Sequence, residues 1–227
     1  MEYHFRNLVF EGGGVKGIAY VGALDILDKK GILGNIKRIG GTSAGAINAL
    51  LLGLNYNPSE MKRILSTVNF KKFADDSWGV IRDANRLLNE YGICKGDYFR
   101  SWIAKIIEDK TGNSECTFLE YNQMKEQKSF KDIYFVGTNI STGFSEVFSY
   151  DRTPRVCIAD AVRISMSLPL FFATKRSPRG DVYVDGGLMD NYPVKLFDRI
   201  SYVEKYSLEP DYYKEHNAQL DQASLTR

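Results

Sequence analysis

The chain has 227 residues, 44% of them apolar and 26% charged, enough for one globular domain with a sizeable core and unlike a disordered or fibrous protein. Thirty basic residues against 28 acidic ones leave a formal charge of +2 with no charged tail, which argues against a protein built to grip nucleic acid. The longest apolar stretch, residues 44–54, is interrupted by Asn48 and falls short of the roughly 18 residues a membrane span needs. The first residues lack a basic segment followed by an apolar run. Cys94, Cys116 and Cys157 show neither disulfide parity nor metal-ligand spacing, so a reduced, cytoplasmic setting is expected.

A short buried strand at residues 8–10 runs into Glu11-Gly12-Gly13-Gly14-Val15-Lys16-Gly17. A helix over residues 17–30 follows, with Ile18, Val21, Leu24 and Leu27 on its apolar face and Gly31 as its stop. A second strand at residues 36–39 meets Gly40-Gly41-Thr42-Ser43-Ala44-Gly45. The small and aliphatic residues 44–53 then suit a helix buried on nearly all sides. Strand, glycine turn and helix, twice over, predict a parallel sheet covered by helices.

Residues 57–130 read as mostly helical, with helix starts near Pro58, behind Asp97 and after Thr117. Strands return at residues 133–139 and 144–150 as a hairpin through Gly143, which makes the expected sheet mixed. A helix over residues 156–166 stops before Pro169, a strand at 182–184 enters Asp185-Gly186-Gly187, and a short helix follows Pro193. The fold class is therefore α/β, with a mixed, mainly parallel central sheet sandwiched by helices. From residue 201 the chain is a polar tail.

Gly41-Thr42-Ser43-Ala44-Gly45 has the form of a nucleophile elbow, a serine on a tight strand-to-helix turn whose flanking glycines remove clashing side chains. Alone, the pentapeptide reads equally as a helix start capped by Thr42 or Ser43. Its place after an early strand, at the carboxyl edge of a parallel sheet, favours the elbow, because Ser43 then points outward at a helix N-terminus suited to developing negative charge. The loop from Gly12 to Gly17 also joins a strand to a helix, so its N–H groups can converge on an anion. Gly12, Gly14 and Gly17 match a dinucleotide pattern, but Lys37, Arg38 and Gly40-Gly41 stand about 20 residues on, where a ribose-binding acid is needed. A purely structural turn and an oxyanion hole formed by Gly13 and Gly14 beside Ser43 remain.

A serine nucleophile needs a base, and the chain has only two histidines. His4 precedes the first strand and His216 lies in the polar tail, although Ser43, Asp185 and His216 do stand in the order of an α/β-hydrolase triad. An exposed tail is a poor place for a base that must stay within hydrogen-bond reach. The alternative is that Asp185 acts on the serine directly; taken alone, Asp185 is as readily a turn aspartate.

Taken together, these elements resemble the patatin-like phospholipase family, which is marked by G-G-G-x-[K/R]-G, then G-x-S-x-G, then a late D-G-[G/A]. All three stand here in order, at Gly12 to Gly17, Gly41 to Gly45 and Asp185 to Gly187. Ala161-Val162-Arg163-Ile164-Ser165-Met166-Ser167-Leu168-Pro169 with Phe171-Phe172, and Asp190-Asn191-Tyr192-Pro193, also look like the family's segments on either side of its aspartate. The resemblance implies Ser43 as nucleophile and Asp185 as general base, with Thr42, Ala44, Gly186 and Gly187 as motif positions. It implies an oxyanion hole from the loop Gly12, Gly13, Gly14, Val15, Lys16 and Gly17, and neither cofactor nor metal. The implied substrate is a phospholipid or other acyl lipid, met at a peripheral membrane surface, with residues 1–200 as the catalytic domain, 57–130 as a helical lid-like region within it, and 201–227 as the start of an extension.

Weaker cues accompany it. Lys175-Arg176-Ser177-Pro178-Arg179 suits a phosphate head group or a solvated loop. Phe70, Phe73, Trp78, Tyr98, Phe99 and Trp102 suit an acyl groove or core packing. A third reading is a non-catalytic lipid- or partner-binding module, against which the intact Ser43 and Asp185 speak.

Overall fold

The computed structural model describes residues 5–67, 92–94, 96–172, 174–176, 179–198 and 202. The chain divides into two compact units, Met1–Pro193 and Val194–Arg227. In the first, β1 (Asn7–Phe10), β2 (Arg38–Thr42) and β4 (Asp132–Asn139) pair parallel, while β5 (Phe144–Phe148) and β8 (Val182–Asp185) pair antiparallel with β4. Three short strands complete the described set: β7 (Lys175–Arg176) pairs with β8, while β3 (Gly92–Cys94) and β6 (Leu170–Phe172) pair with each other as a separate two-stranded sheet. The sheet is thus mixed and flanked by helices, as the sequence predicts.

The pairing of β4 decides where the site lies. Phe135 and Val136 pair with both β2 and β5, so those strands occupy opposite edges of β4; Gly137 to Asn139 pair with both β5 and β8, so β8 shares the edge that β2 uses. On that edge β2 ends with Thr42 opposite Val136, and β8, running the other way, ends with Asp185 opposite Gly137. The ends of the two strands therefore meet on one edge of β4. Glu146 of β5 braces the junction from the far edge, accepting hydrogen bonds from Asn139 Nδ2 at 2.7 Å and the Tyr183 hydroxyl at 2.8 Å.

The helix α1 (Tyr20–Lys29) is preceded by a 3-10 segment, Gly14–Ala19, rather than beginning as an α-helix at Gly17. That tighter winding shifts the phase of the first turn, so Ile18 is 49% exposed instead of joining Val21 and Leu24 in the core. Gly31 takes a positive φ of 69° beyond the last turn, the conformation that lets glycine end a helix. β2 starts two residues later than the apolar pattern suggests: Ile36 is buried but follows a 3-10 turn, and the strand runs through Gly40 and Gly41 to Thr42.

All ten residues of α2 (Ala44–Gly53) are buried, against β1, β2 and β4. Helices α3 (Pro58–Ser66) and α5 (Phe118–Lys128) begin with capping boxes, Asn57 with Glu60 and Thr117 with Glu120, each satisfying two backbone donors. Between them α4 (Asp97–Thr111) buries Phe99, Ile103, Ile106 and Ile107 and packs on α6 (Ile158–Ser165). Arg100 ties these helices by hydrogen bonds to Asp160 at 2.8 Å and to both oxygens of Glu115. Burial would raise the Asp160 carboxyl pKa, but Arg100 and Lys175 beside it more than offset that and hold it below the usual value. In the second unit, the 3-10 turn Val194–Phe197 places Phe197 edge-on to Tyr202.

Candidate active site

Ser43 leaves the end of β2 with φ 55° and ψ −126°, a conformation that a non-glycine residue occupies at a cost of roughly 1–3 kcal/mol. The surrounding backbone fixes it there. A Cβ on Gly45 would strike the carbonyl oxygens of Phe10 and Glu11, and one on Gly41 would strike the backbone of Gly45, so the ends of β1, β2 and the start of α2 press together only because both positions lack side chains. Ser43 is 5% exposed, and its hydroxyl is directed at the Met166 sulfur at 3.6 Å.

Asp185 ends β8 and is 1% exposed. Its backbone N–H donates to the Ser167 carbonyl at 2.8 Å, and its Oδ1 accepts the Gly187 N–H at 2.7 Å. Its other oxygen, Oδ2, is buried without a hydrogen-bond partner. Burial pushes the carboxyl pKa up to about 6, against the lowering effects of the Gly187 N–H and the nearby Ser43 hydroxyl. The Ser43 hydroxyl is close enough to act on Asp185, but its hydrogen bond in this arrangement goes to Met166.

The glycine loop runs beside Ser43, because β1 pairs with β2 up to Phe10 opposite Gly41. A Cβ on Gly12 would lie 3.0 Å from Ser43 Cβ and would also strike Asn191 Oδ1. The loop glycines divide by what their N–H groups do. Gly12 donates to the Asn191 carbonyl at 3.0 Å and Lys16 to the Gly13 carbonyl at 3.1 Å, so neither N–H is free for an anion. Gly17 is buried, its Cα facing Ala44, and permits close packing on α2. Among the described residues no hydrogen bond engages the N–H groups of Gly13, Gly14 or Val15, and Gly14 has φ 54°. The donors available to an oxyanion thus narrow to these three, and the Lys16 side chain is exposed.

Several further residues brace this arrangement, most of them without an assigned role in the sequence. Asn191 holds the loop through Nδ2, to the Gly12 carbonyl at 3.2 Å and to Glu11 at 3.1 Å, and Thr42 Oγ1 donates to the Asp190 carbonyl at 2.9 Å. Asn48 Nδ2 bridges the Gly17 and Ala44 carbonyls. Ser165, Met166 and Ser167, at the end of α6, contact Ser43 or Asp185 in turn. The signal for them in the sequence was two serines alternating across Met166 just before Pro169. His4, His216, Phe70, Phe73, Trp78, Ser177 and Pro178 lie outside the described residues. Of the remaining aromatics, Phe99 is core, Trp102 packs against it and Tyr98 is exposed. Lys175 pairs with Asp160 at 3.6 Å. Among the described residues there is no cluster of metal-ligating side chains.

The sequence profile of the family described as Patatin-like phospholipase matches residues 8–198. The chain belongs to the patatin-like phospholipase family. Its relatives include Uncharacterized protein R571 of Acanthamoeba polyphaga mimivirus, 35% identical over 87% of this chain and 63% of the relative. Another is Probable lipid hydrolase 463L of Invertebrate iridescent virus 6, 24% identical over 85% of this chain and 63% of the relative. Among solved structures, VipD from Legionella pneumophila superposes with a TM-score of 0.73 at 20% identity, covering 98% of this chain and 54% of VipD. At that identity the likeness establishes the shared patatin-like fold. The chain spans 63% of the length of both viral relatives.

Proposed function

We propose that this chain is a serine acyl hydrolase that cleaves fatty acyl esters of phospholipids through Ser43 and Asp185. The observation that carries the proposal is the meeting of two strand ends on one edge of β4, which brings a strained, helix-initiating serine next to a buried carboxylate with an unpartnered oxygen. Family membership and the viral relative named a probable lipid hydrolase support the lipid class of substrate.

Ser43 Oγ attacks the ester carbonyl while its proton passes to Asp185 Oδ2. A carboxylate with a raised pKa is the better base, and one with no other partner on Oδ2 is free to take that proton. The N–H groups of Gly13, Gly14 and Val15 stabilise the tetrahedral oxyanion, a contribution of about 3 kcal/mol per well-placed donor. Collapse expels the lysolipid alcohol, which takes back the proton from Asp185, and leaves an acyl-Ser43 ester. Water, deprotonated by Asp185, then releases the fatty acid and restores the serine.

The loops around Ser43 and Asp185 also expose Val15, Ile18, Leu168, Leu188 and Met189 to solvent. Those exposed apolar side chains, taken as a rim of the site, support action at a peripheral membrane surface, and among the described residues no helix is long and apolar enough to cross a membrane. The test is fatty acid release from phospholipid vesicles by the wild type, Ser43→Ala and Asp185→Asn. The proposal expects release by the wild type alone. An active Asp185→Asn enzyme would remove Asp185 from the mechanism, whereas loss of activity in His216→Ala would favour the triad of Ser43, Asp185 and His216 over the dyad.

A further inference from the structure

Ser165 is fully buried at the end of α6, and its hydroxyl has two partners. It donates to the Val136 carbonyl at 2.6 Å and accepts the Ser43 N–H at 2.9 Å. A hydroxyl has one proton; committing it to Val136 fixes the rotor and aims a lone pair at Ser43. Val136 is the β4 partner of Thr42, and its carbonyl is also the surface against which Gly186, the residue after Asp185, is packed. Ser165 therefore ties the residue that follows β2 to the interior of β4, at the point where the elbow has to be held.

The Ser43 backbone is in a conformation that its own residue type disfavours, so something external must hold it. Glycine packing on either side constrains where the elbow can go, but the only hydrogen bond on the Ser43 N–H among the described residues is the one to Ser165. Removing that acceptor leaves a buried N–H and a buried carbonyl, Val136, each without this partner. The Ser43 N–H is relieved by a shift of the elbow, which carries Ser43 Oγ with it. Asp185 is anchored separately, through Ser167 and Gly187. The consequence of losing Ser165 is thus a displaced nucleophile in front of an undisturbed base.

We propose that Ser165 is a positioning residue for Ser43, holding the nucleophile's backbone in its reactive conformation through the Ser43 N–H to Ser165 Oγ hydrogen bond. The inference rests on the reading of Ser43 and Asp185 given above. The measurement is the pH dependence of kcat and KM on a short soluble ester for the wild type, Ser43→Ala, Ser165→Ala, Ser165→Cys and Ser165→Thr, with thermal melting of each. Ser165→Ala is expected to lower kcat by roughly tenfold or more, with KM changed by less than about twofold. Its apparent pKa stays at that of the wild type because Asp185 keeps its surroundings. Ser165→Thr restores most of kcat, and the weaker thiol of Ser165→Cys falls between.

Two results overturn the inference alone: Ser165→Ala with the wild-type kcat per folded molecule, or a loss that appears in KM or only follows the melting temperature. Full activity in Ser43→Ala, or none in the wild type, overturns the dyad itself and the role of Ser165 with it. If the added methyl of Ser165→Thr prevents folding, the kcat and KM values and pH profile of Ser165→Ala still decide.

Discussion

Asp185 links activity and stability with opposite signs. Its folded pKa, about 6, is above the usual 3.8, so between those values the folded state holds a proton that the unfolded state has lost, and stability falls as pH rises through that window. Above it the buried charge costs the fold up to about 3 kcal/mol. Asp185→Asn is therefore expected to raise the melting temperature near pH ~8 and to lose most of that advantage near pH ~4, while hydrolysis disappears at both. A melting temperature unchanged at high pH would show that Asp185 is solvated. Because the base must be ionised, kcat/KM should rise with pH and reach half its plateau near about 6.

At Gly12 the expectation is steric. A methyl group there meets Asn191 and Ser43, so Gly12→Ala should reduce turnover by roughly a hundredfold, as a misplaced reacting group does. Gly13→Ala meets only Lys16 Cβ, at 3.9 Å, and should be tolerated far better; equal losses at both positions would contradict the division of the loop into a packed part and an anion-facing part.

At the scale of elements, long patterned segments were legible in the sequence and short ones were not. The buried run of α2 and the capped starts of α3 and α5 carry their own signals: ten small or aliphatic residues, Asn57 with Glu60, Thr117 with Glu120. β3, β6 and β7 have two or three residues each, too few for an alternation to register, and exist because tertiary pairing supplies what local sequence does not. Ile18 was misplaced for a related reason. Glycine spacing locates the turn but does not distinguish a 3-10 first turn from an α-helical one. Ser43 and Asp185 were legible from motif and order; Ser165, Met166 and Asn191 stood only within segments that resemble the family's, and their roles were not legible because those depend on which strand ends meet. The tie between α4 and α6 gives a prediction of its own. Arg100→Ala should cost about 1 kcal/mol after solvent screening of a partly exposed pair. The stability gap to wild type should narrow below pH ~4, because the lowered Asp160 pKa contributes stability above its ordinary value and loses it as pH falls.

For the whole molecule, the described residues form a mixed sheet flanked by helices, and the proposed function takes the exposed Val15, Ile18, Leu168, Leu188 and Met189 as an apolar rim. If that rim meets a lipid surface, Leu188→Asp with Met189→Asp should reduce the rate on phospholipid vesicles by about tenfold relative to the rate on a soluble ester, read as the ratio of the two rates. The central claim is that Ser43 is an activated nucleophile, and the most direct test is to treat the wild-type protein and Ser43→Ala with a fluorophosphonate and weigh both intact. The account predicts that the wild type alone gains the mass of one phosphonyl group. No gain in a folded wild type, or an equal gain in Ser43→Ala, would contradict it.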